Sequence, residues 1–148
     1  MIIKLNTERL EEVTTLVRNV FNDFVAQYNS PEAVKRFNTN TNALEMEKRI
    51  LEGKSIVWAW VEDEKIVGMI AGRSDKINLL FVDGQYQRRG IARQLLEAFI
   101  SHFNPTQIAV SSSVCAVDAY RKLGFVATDT EQVKDGLRYI PMVLTVKE

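Results

Sequence analysis

The stretch VDGQYQRRGIARQLLEAF, residues 82–99, decides the fold of this chain. An apolar run, KINLLFV, ends at its first residue and predicts a buried strand. Apolar residues then recur at helical spacing and predict an amphipathic helix that begins at once: Ile91, Leu95, Leu96 and Phe99. The chain therefore passes from strand to helix through a short loop that holds two adjacent arginines and a glycine.

This loop has the composition of a phosphate-binding site. The first turn of a helix has backbone N–H groups without intrahelical partners, and the helix dipole adds partial positive charge there. Gly90 has no side chain to block an anion, and Ala92 is nearly as small. Arg88 and Arg89 add positive charge at a helix start, which is unfavourable unless an anion joins them. The loop therefore predicts a pyrophosphate cradle.

Helical patterns precede this stretch. Thr7 is suited to cap a first helix with this apolar face: Leu10, Val13, Val17, Val20, Phe21 and Phe24. Pro31 suits the first turn of a second helix, PEAVKRF, which the polar run NTNTN interrupts. ALEMEKRILEG then resumes helical spacing and stops near Gly53; its apolar positions are Leu44, Ile50 and Leu51.

Runs rich in β-branched and aromatic residues predict strands. They are IIKL, SIVWAWVE, KIVGMIAG, KINLLFV, QIAVSSS, FVAT and LRYIPMVLTV, the last two joined across KDG. A helix from residue 91 to about Phe103 and a short one in VCAVDAYRKLG, with Gly124 at its end, lie between them. The expected order is β-α-α-β-β-β-α-β-α-β-β. It describes a single α/β domain, residues 1–148.

Composition excludes several function classes. Lys plus Arg and Asp plus Glu are equal at 19 each, so bulk charge does not favour nucleic acid. One cysteine and one histidine allow neither an internal disulfide nor a Cys/His zinc site, and we predict no metal. No apolar run reaches the roughly 18 residues of a membrane span or forms a signal peptide. We expect a cytoplasmic protein that binds neither membrane nor nucleic acid.

Two motifs resemble those of the GNAT superfamily of N-acetyltransferases. The spacing Gln87-x-x-Gly90-x-Ala92 after a strand is similar to the acyl-CoA signature of that family, and AVDAYRKLGF, residues 116–125, is similar to its later motif. The resemblance implies a mixed, mainly antiparallel sheet of about seven strands, about four flanking helices and splayed central strands. It also implies direct transfer of an acetyl group from acetyl-CoA to a primary amine.

The resemblance assigns roles to residues. Tyr120 would be the general acid that protonates the leaving thiolate. The CoA-binding residues would be Leu80, Phe81, Val82, Gln87, Arg88, Arg89, Gly90, Ile91, Ala92, Arg93 and Ser113. Two positions depart from the family: Gly84 stands where Pro is frequent, and Ser113 where many members have an Asn that contacts pantetheine.

Several questions stay open at this stage. The general base is unassigned; the candidates are Asp75, Asn78, Asp83, Glu32, Glu45, Glu47 and a water chain. A CoA-binding regulatory module without catalysis is the alternative function, and the absence of a Walker lysine argues against a phosphotransferase. The acceptor is a small-molecule or protein amine, and the last strand could pair across a homodimer.

The remaining candidate residues have structural interpretations. Cys115 is expected to be a small buried residue, and His102 to be a cation or surface residue at a helix end. Trp58 and Trp60 alternate along a strand and are explained by strand packing, although one could line the acceptor cleft. Other aromatic residues could shape that cleft or belong to the core: Phe24, Tyr28, Phe37 and Tyr139.

Overall fold

The computed structural model describes residues 1–147, which form eight strands and five α-helices. The strands are β1 (Ile2–Leu5), β2 (Ile56–Glu62), β3 (Lys65–Arg73), β4 (Lys76–Val82), β5 (Gln107–Ser113), β6 (Val126–Ala127), β7 (Gln132–Lys134) and β8 (Leu137–Thr145). The helices are α1 (Leu10–Val20), α2 (Pro31–Asn40), α3 (Ala43–Leu51), α4 (Ile91–Phe103) and α5 (Val117–Lys122). The predicted α/β class is confirmed. The additions are β7 and the division of the second predicted helix into α2 and α3.

The strands form one sheet in the order β1-β2-β3-β4-β5-β8-β6, and β7 also pairs with β8. Every paired neighbour runs antiparallel except β4 and β5, which are parallel. The predicted mixed, mainly antiparallel sheet is therefore confirmed. The single parallel pair lies in the middle of the sheet, directly before the loop at residues 83–90.

The helices cover both faces of the sheet. On one face α4 buries Leu95 and Phe99 completely, and on the other α1 buries Val13 and Val17 to the same extent. Each such side chain contributes about 1.5–3 kcal/mol of burial free energy. Gly68 of β3 lets α4 approach closely, because a Cβ there would lie 3.0 Å from Ile91 Cγ2. The start of α4 is thereby fixed against the sheet.

The first helix departs from the sequence prediction at both ends. Thr7 does not cap it: the residue before the helix is Arg9, which has a left-handed backbone (φ 61°) and no capping side chain. At the other end the helix continues as a π-helical turn over Phe21–Val25. A π turn adds one residue per turn and so rotates the following side chains. As a result Val25 is buried and Phe24, predicted on the apolar face, is 39% exposed.

The next two helices also differ in detail. α2 extends through Asn40 and so includes the start of the polar run NTNTN. Asn42 then caps α3, because its side-chain oxygen accepts a hydrogen bond from the Glu45 backbone N–H. The predicted apolar positions Leu44 and Leu51 are 75% and 70% exposed, and Met46 is the buried residue of α3. The third predicted position, Ile50, is partly buried and packs against the same cluster as Met46, so the spacing predicted the helix correctly and its buried face in part.

Candidate active site

A gap opens between the two central strands. β4 and β5 are paired only at Lys76 with Ala109 and at Ile77 with Val110. Beyond these pairs β4 stays on β3 and β5 stays on β8. The predicted splaying is therefore confirmed, and the strand edges that carry residues 79–82 and 111–113 face each other across the gap without pairing. Backbone polar groups along such edges are open to a ligand.

The loop after β4 is ordered by its own hydrogen bonds. The Asp83 carboxylate accepts from the Gln85 N–H at 2.9 Å, and a 3-10 turn follows over Gly84–Tyr86. The Gln87 amide donates to the Val82 carbonyl at 3.0 Å and so ties the loop to the end of β4. Asp83 therefore has a turn-forming role, and the first residue of the acyl-CoA-like signature fixes the strand edge at the gap.

The start of α4 is left without a cap. Gly90 occupies the N-cap position with φ +82°, and neither a capping side chain nor an acidic residue is present in the first turn. Apart from its immediate chain neighbours, no heavy atom of residues 1–147 lies within 4 Å of where a Cβ on Gly90 would be. The space beside Gly90 at the uncapped start of α4 is therefore open to an anion. The position demands glycine because other residues are strained at this φ.

The three arginines near this helix start differ in their contacts. Arg88 has a left-handed backbone (φ 66°) and makes no side-chain hydrogen bond or ion pair among residues 1–147. Arg89 donates to the Gln85 carbonyl at 3.2 Å and lies 5.0 Å from the ring centroid of Tyr86. Arg93 reaches away from the loop and donates to the Lys122 carbonyl at 2.8 Å. Arg88 is therefore the most available to a phosphate.

Tyr120 lies on α5, the short helix that follows β5. Its ring packs edge-on against Phe125 with centroids 5.3 Å apart, and the residue is only 9% exposed. Its hydroxyl makes no hydrogen bond within the described part of the chain. Burial raises the pKa of Tyr120, so the phenol keeps its proton at neutral pH. The hydroxyl therefore carries a proton and has no partner among residues 1–147, but the raised pKa makes it a weaker acid than an exposed tyrosine.

The end of β5 brings Ser113 next to Cys115. Ser113 Oγ and Cys115 Sγ are 3.3 Å apart, in the turn that leads to α5. Cys115 is exposed, so the prediction of a buried cysteine is wrong. The reason is local: the residue belongs to a turn between strand and helix and does not face the core. Ser113 pairs with Tyr139 across β5 and β8.

The other candidate residues are distributed over the fold. Phe24 lies over the loop, because a Cβ on Gly84 would be 2.9 Å from its Cζ. Phe37 stacks on Phe21 at 3.8 Å, and His102 is edge-on to the buried Trp58 at 5.3 Å. Trp58 and Phe37 therefore have packing roles. Among residues 1–147 no group of His, Cys, Asp and Glu side chains could hold a metal ion, and no helix is long and apolar enough to span a membrane.

Two of the candidate bases, Asn78 and Glu45, line a cleft of about 100 Å³ on the α3 side of the sheet. Arg49 and Ser55, which belong to no motif of the sequence, line it with them. No sequence pattern signals this set, because its four members come from α3, β4 and the segment before β2, which meet only in the fold.

Comparisons with known proteins agree with this geometry. The sequence model of the family described as "Acetyltransferase (GNAT) domain" matches residues 25–146. The chain is 32% identical over 81 residues to the uncharacterized N-acetyltransferase YafP of Escherichia coli, a match that spans 55% of this chain and 53% of that relative. The chain therefore covers about half the length of this curated relative.

Solved structures share the fold at low sequence identity. One is the PaiA N-acetyltransferase of Thermoplasma acidophilum in complex with coenzyme A, with a TM-score of 0.80, 18% identity and 98% of each chain covered. Another is an acetyltransferase of the GNAT family from Staphylococcus aureus, with a TM-score of 0.72, 19% identity and 99% of each chain covered. At these identities the likeness concerns the fold.

Proposed function

The chain belongs to the GNAT acetyltransferase family, and from this premise we propose that it transfers the acetyl group of acetyl-CoA to a primary amine. The observation that carries the proposal is the opening of the β4–β5 gap directly before the uncapped start of α4. A phosphate site and a strand edge with free backbone groups thus lie next to each other. This combination suits a ligand that has a pyrophosphate at one end and an amide-containing arm at the other.

The residues of the gap and loop divide the binding of acetyl-CoA between them. The N–H groups at the start of α4 and the guanidinium of Arg88 would hold the pyrophosphate. The free edge of β4 at residues 80–82, together with Ser113 on β5, would bind the pantetheine arm. Arg89 and Arg93 are already engaged with protein carbonyls, so we assign them less of the phosphate binding.

The proposed reaction is a direct attack. The acceptor ammonium loses a proton to solvent, and the amine nitrogen forms a bond to the thioester carbonyl carbon. A backbone N–H of β4 would stabilise the charge on the carbonyl oxygen. The C–S bond then breaks as the carbonyl re-forms, and the Tyr120 hydroxyl would donate its proton to the departing thiolate. The acylated nitrogen is still cationic and loses its second proton, which returns to the tyrosinate through solvent. The products are an N-acetylamine and CoA, and the one net proton released is the one that the ammonium lost to solvent.

The function is tested by release of free thiol from acetyl-CoA in the presence of a panel of primary amines. Thiol release that requires both protein and amine supports the proposal. If CoA binds but no amine gives turnover, the protein is the non-catalytic CoA-binding module that the sequence left as the alternative.

The phosphate site is tested by Gly90→Ala with Gly53→Ala as the matched control. Both glycines have left-handed backbones (φ +82° and +73°), so both variants carry similar strain of about 1–2 kcal/mol. Only the Gly90 methyl enters the space in front of α4. We expect the Kd for CoA to rise at least about tenfold in Gly90→Ala, or 1.4 kcal/mol, and to stay unchanged in Gly53→Ala. Equal Kd values in the two variants would contradict phosphate binding at this loop.

A further inference from the structure

The cleft on the α3 side of the sheet ends where the central strands part. Ala71 of β3 pairs with Leu79 and Gly72 pairs with Ile77, so Asn78 is the extra residue of a β-bulge. Ile77 is also the last residue of β4 that pairs with β5. The bulge therefore marks the inner end of the gap, as bulges often mark sites where a strand leaves its partner.

The cleft and the start of α4 lie on opposite faces of the sheet. Leu79, which lines the cleft, packs with the hydrophobic cluster of α1 and α3, whereas the next residue, Leu80, packs with the cluster of α4. A ligand in the cleft therefore approaches the inner end of the gap from the face away from the phosphate loop. In the proposed reaction this is the side left free for the acceptor.

The cleft contains polar side chains that have no partner in the protein. Ser55 is only 6% exposed, and its hydroxyl makes no hydrogen bond within residues 1–147. Its oxygen is not fully enclosed, so the hydroxyl of this largely buried residue is open to the cleft and free to bond a molecule there. Arg49, Glu45 and Asn78 lie at the exposed mouth of the cleft, and their side chains make no hydrogen bond or ion pair in the described chain.

Glu45 and Arg49 have the ordinary spacing of a helical ion pair but do not form one. They are separated by four residues on α3, an arrangement that commonly forms an ion pair. In the described residues no such pair forms within 4.0 Å, although Arg9, just before α1, does pair with Glu12 at 2.8 Å. The carboxylate and the guanidinium therefore present a negative and a positive group separately to the cleft.

We propose that this cleft binds the acceptor and that the acceptor is an α-amino acid, held by its ammonium and carboxylate groups. The inference rests on the proposed acetyl transfer and assigns its substrate class. Arg49 offers the planar fork of donors that matches a carboxylate. Glu45 and the Asn78 amide oxygen accept hydrogen bonds from the ammonium, and the Ser55 hydroxyl binds either group.

The size of the cleft agrees with a small head group. Its volume of about 100 Å³ is well below the ~300–1,000 Å³ of sites that enclose a whole drug-sized ligand. An ammonium, a carboxylate and the carbon between them fit such a space, and the amino-acid side chain extends outside it. The cleft would thus recognise the ammonium and carboxylate of the acceptor, and residues outside the cleft would contact its side chain.

The decisive experiment compares amino acids with their decarboxylated amines. Acetyl-CoA-dependent thiol release is measured for the L-amino acids and for the matching amines, such as L-leucine against isoamylamine. We expect kcat/KM to be at least about tenfold higher for the better amino acids, because only they can form a charge-assisted pair with Arg49. Equal or faster turnover of the decarboxylated amines would overturn the proposal.

The variant test uses two neighbouring cations of α3. Arg49→Met should raise KM for the amino acid at least about tenfold and leave KM for acetyl-CoA unchanged. Lys48→Met removes a charge from the same helix turn outside the cleft and should leave both values unchanged. If Arg49→Met and Lys48→Met behave alike, Arg49 does not recognise a carboxylate and the proposal is wrong.

Binding can also be measured without turnover, which separates this proposal from acetyl transfer itself. ¹⁵N-labelled protein is titrated with L-leucine and with glycine in the absence of CoA. Shifts of the Arg49 Nε–H and the Asn78 side-chain amide on titration, lost in Arg49→Met, support the site even if no amine is acetylated. If the protein acetylates amines but these signals do not move with either amino acid, the substrate assignment fails and the proposed function stands.

Discussion

Replacing Tyr120 with phenylalanine removes the proposed proton donor and almost nothing else. The hydroxyl makes no hydrogen bond within residues 1–147, and the ring contact with Phe125 is retained. An unpartnered buried hydroxyl stabilises the fold little, so the free energy of unfolding should change by less than about 1 kcal/mol. For a chain of this size that corresponds to a change in Tm of no more than roughly 4 °C.

The expected effect on turnover is much larger. A positioned general acid contributes about 10²–10⁴-fold, so kcat should fall by a factor on the order of 10² or more. That factor corresponds to about 2.7 kcal/mol of transition-state stabilisation. The Kd for CoA should stay within about twofold of wild type, because the pyrophosphate loop lies on a different segment from α5. A loss in kcat without a loss in Kd or Tm is the signature of the acid role.

Burial also sets the pH dependence. Because burial raises the pKa of Tyr120 above its ordinary value, the proton is present at every pH below that value. The donor is lost only as the pH rises through the raised pKa, so kcat of the wild type should show no alkaline decline at or below about pH 10, the ordinary tyrosine pKa. A decline centred near pH 8 would place the acid on another group.

The assay needs a control for packing and a check on the rate-limiting step. Phe125→Leu keeps the hydroxyl but creates space beside the ring, since Phe125 is 1% exposed. It should lower the free energy of unfolding by about 1 kcal/mol or more, with a smaller loss of kcat than Tyr120→Phe. Pre-steady-state turnover establishes that chemistry limits kcat. An unchanged kcat for Tyr120→Phe under that condition refutes the acid role.

Two further predictions concern the support of the site, and a third concerns an ion pair at the start of β8. Arg93→Met removes the hydrogen bond to the Lys122 carbonyl, so amide hydrogen exchange at the end of α5 should speed up and kcat should fall. The free energy of unfolding should fall by about 1 kcal/mol, and the Kd for CoA should not change. A rise in Kd with unchanged exchange would instead make Arg93 a phosphate ligand. Gly68→Ala should destabilise the fold by about 1–3 kcal/mol and weaken CoA binding, because the new methyl group displaces the start of α4. A variant with the wild-type Tm would contradict the close packing of α4 on β3. The Arg138 hydrogen bond lowers the pKa of Glu131, so its stabilisation is present above the unfolded value near ~4.3 and is lost as the pH falls through the folded value. The Tm difference between wild type and Glu131→Gln should therefore be positive at pH 7 and vanish in acid, and a constant difference would exclude the pair.

The sequence predicted the elements that depend on local pattern. The strand ending at Val82, the start of the next helix at Ile91 and its end at Asn104 are all observed, since an apolar run, a glycine and an Asn-Pro pair mark them. The splaying of the central strands was also predicted from this stretch, but only through its resemblance to a family. Local chemistry is sufficient where the periodicity is long and the terminators are strong.

What the sequence did not predict depends on contacts between distant segments. The π turn before Val25 and the left-handed Arg9 have no composition signature, because any residue can be held there by packing on the sheet. The strand β7 is three residues long and is stabilised by pairing with β8. The cleft on the α3 side of the sheet brings Arg49 and Ser55 together with Asn78, which belongs to a later strand. No residue of this set has a distinctive neighbourhood along the chain.

One helix, α4, links the loop proposed to bind phosphate to the proposed acid. Gly68 fixes the start of α4 against β3, and Arg93 in the first turn of α4 satisfies the Lys122 carbonyl at the end of α5. The other late carbonyls of α5 already accept from the backbone, Tyr120 from Leu123 and Phe125. Since α5 is only six residues long, this contact at its end bears directly on the position of Tyr120. A displacement of the first turn of α4 would therefore change phosphate binding and proton donation together, whereas removal of the Arg93 guanidinium alone would change only the second.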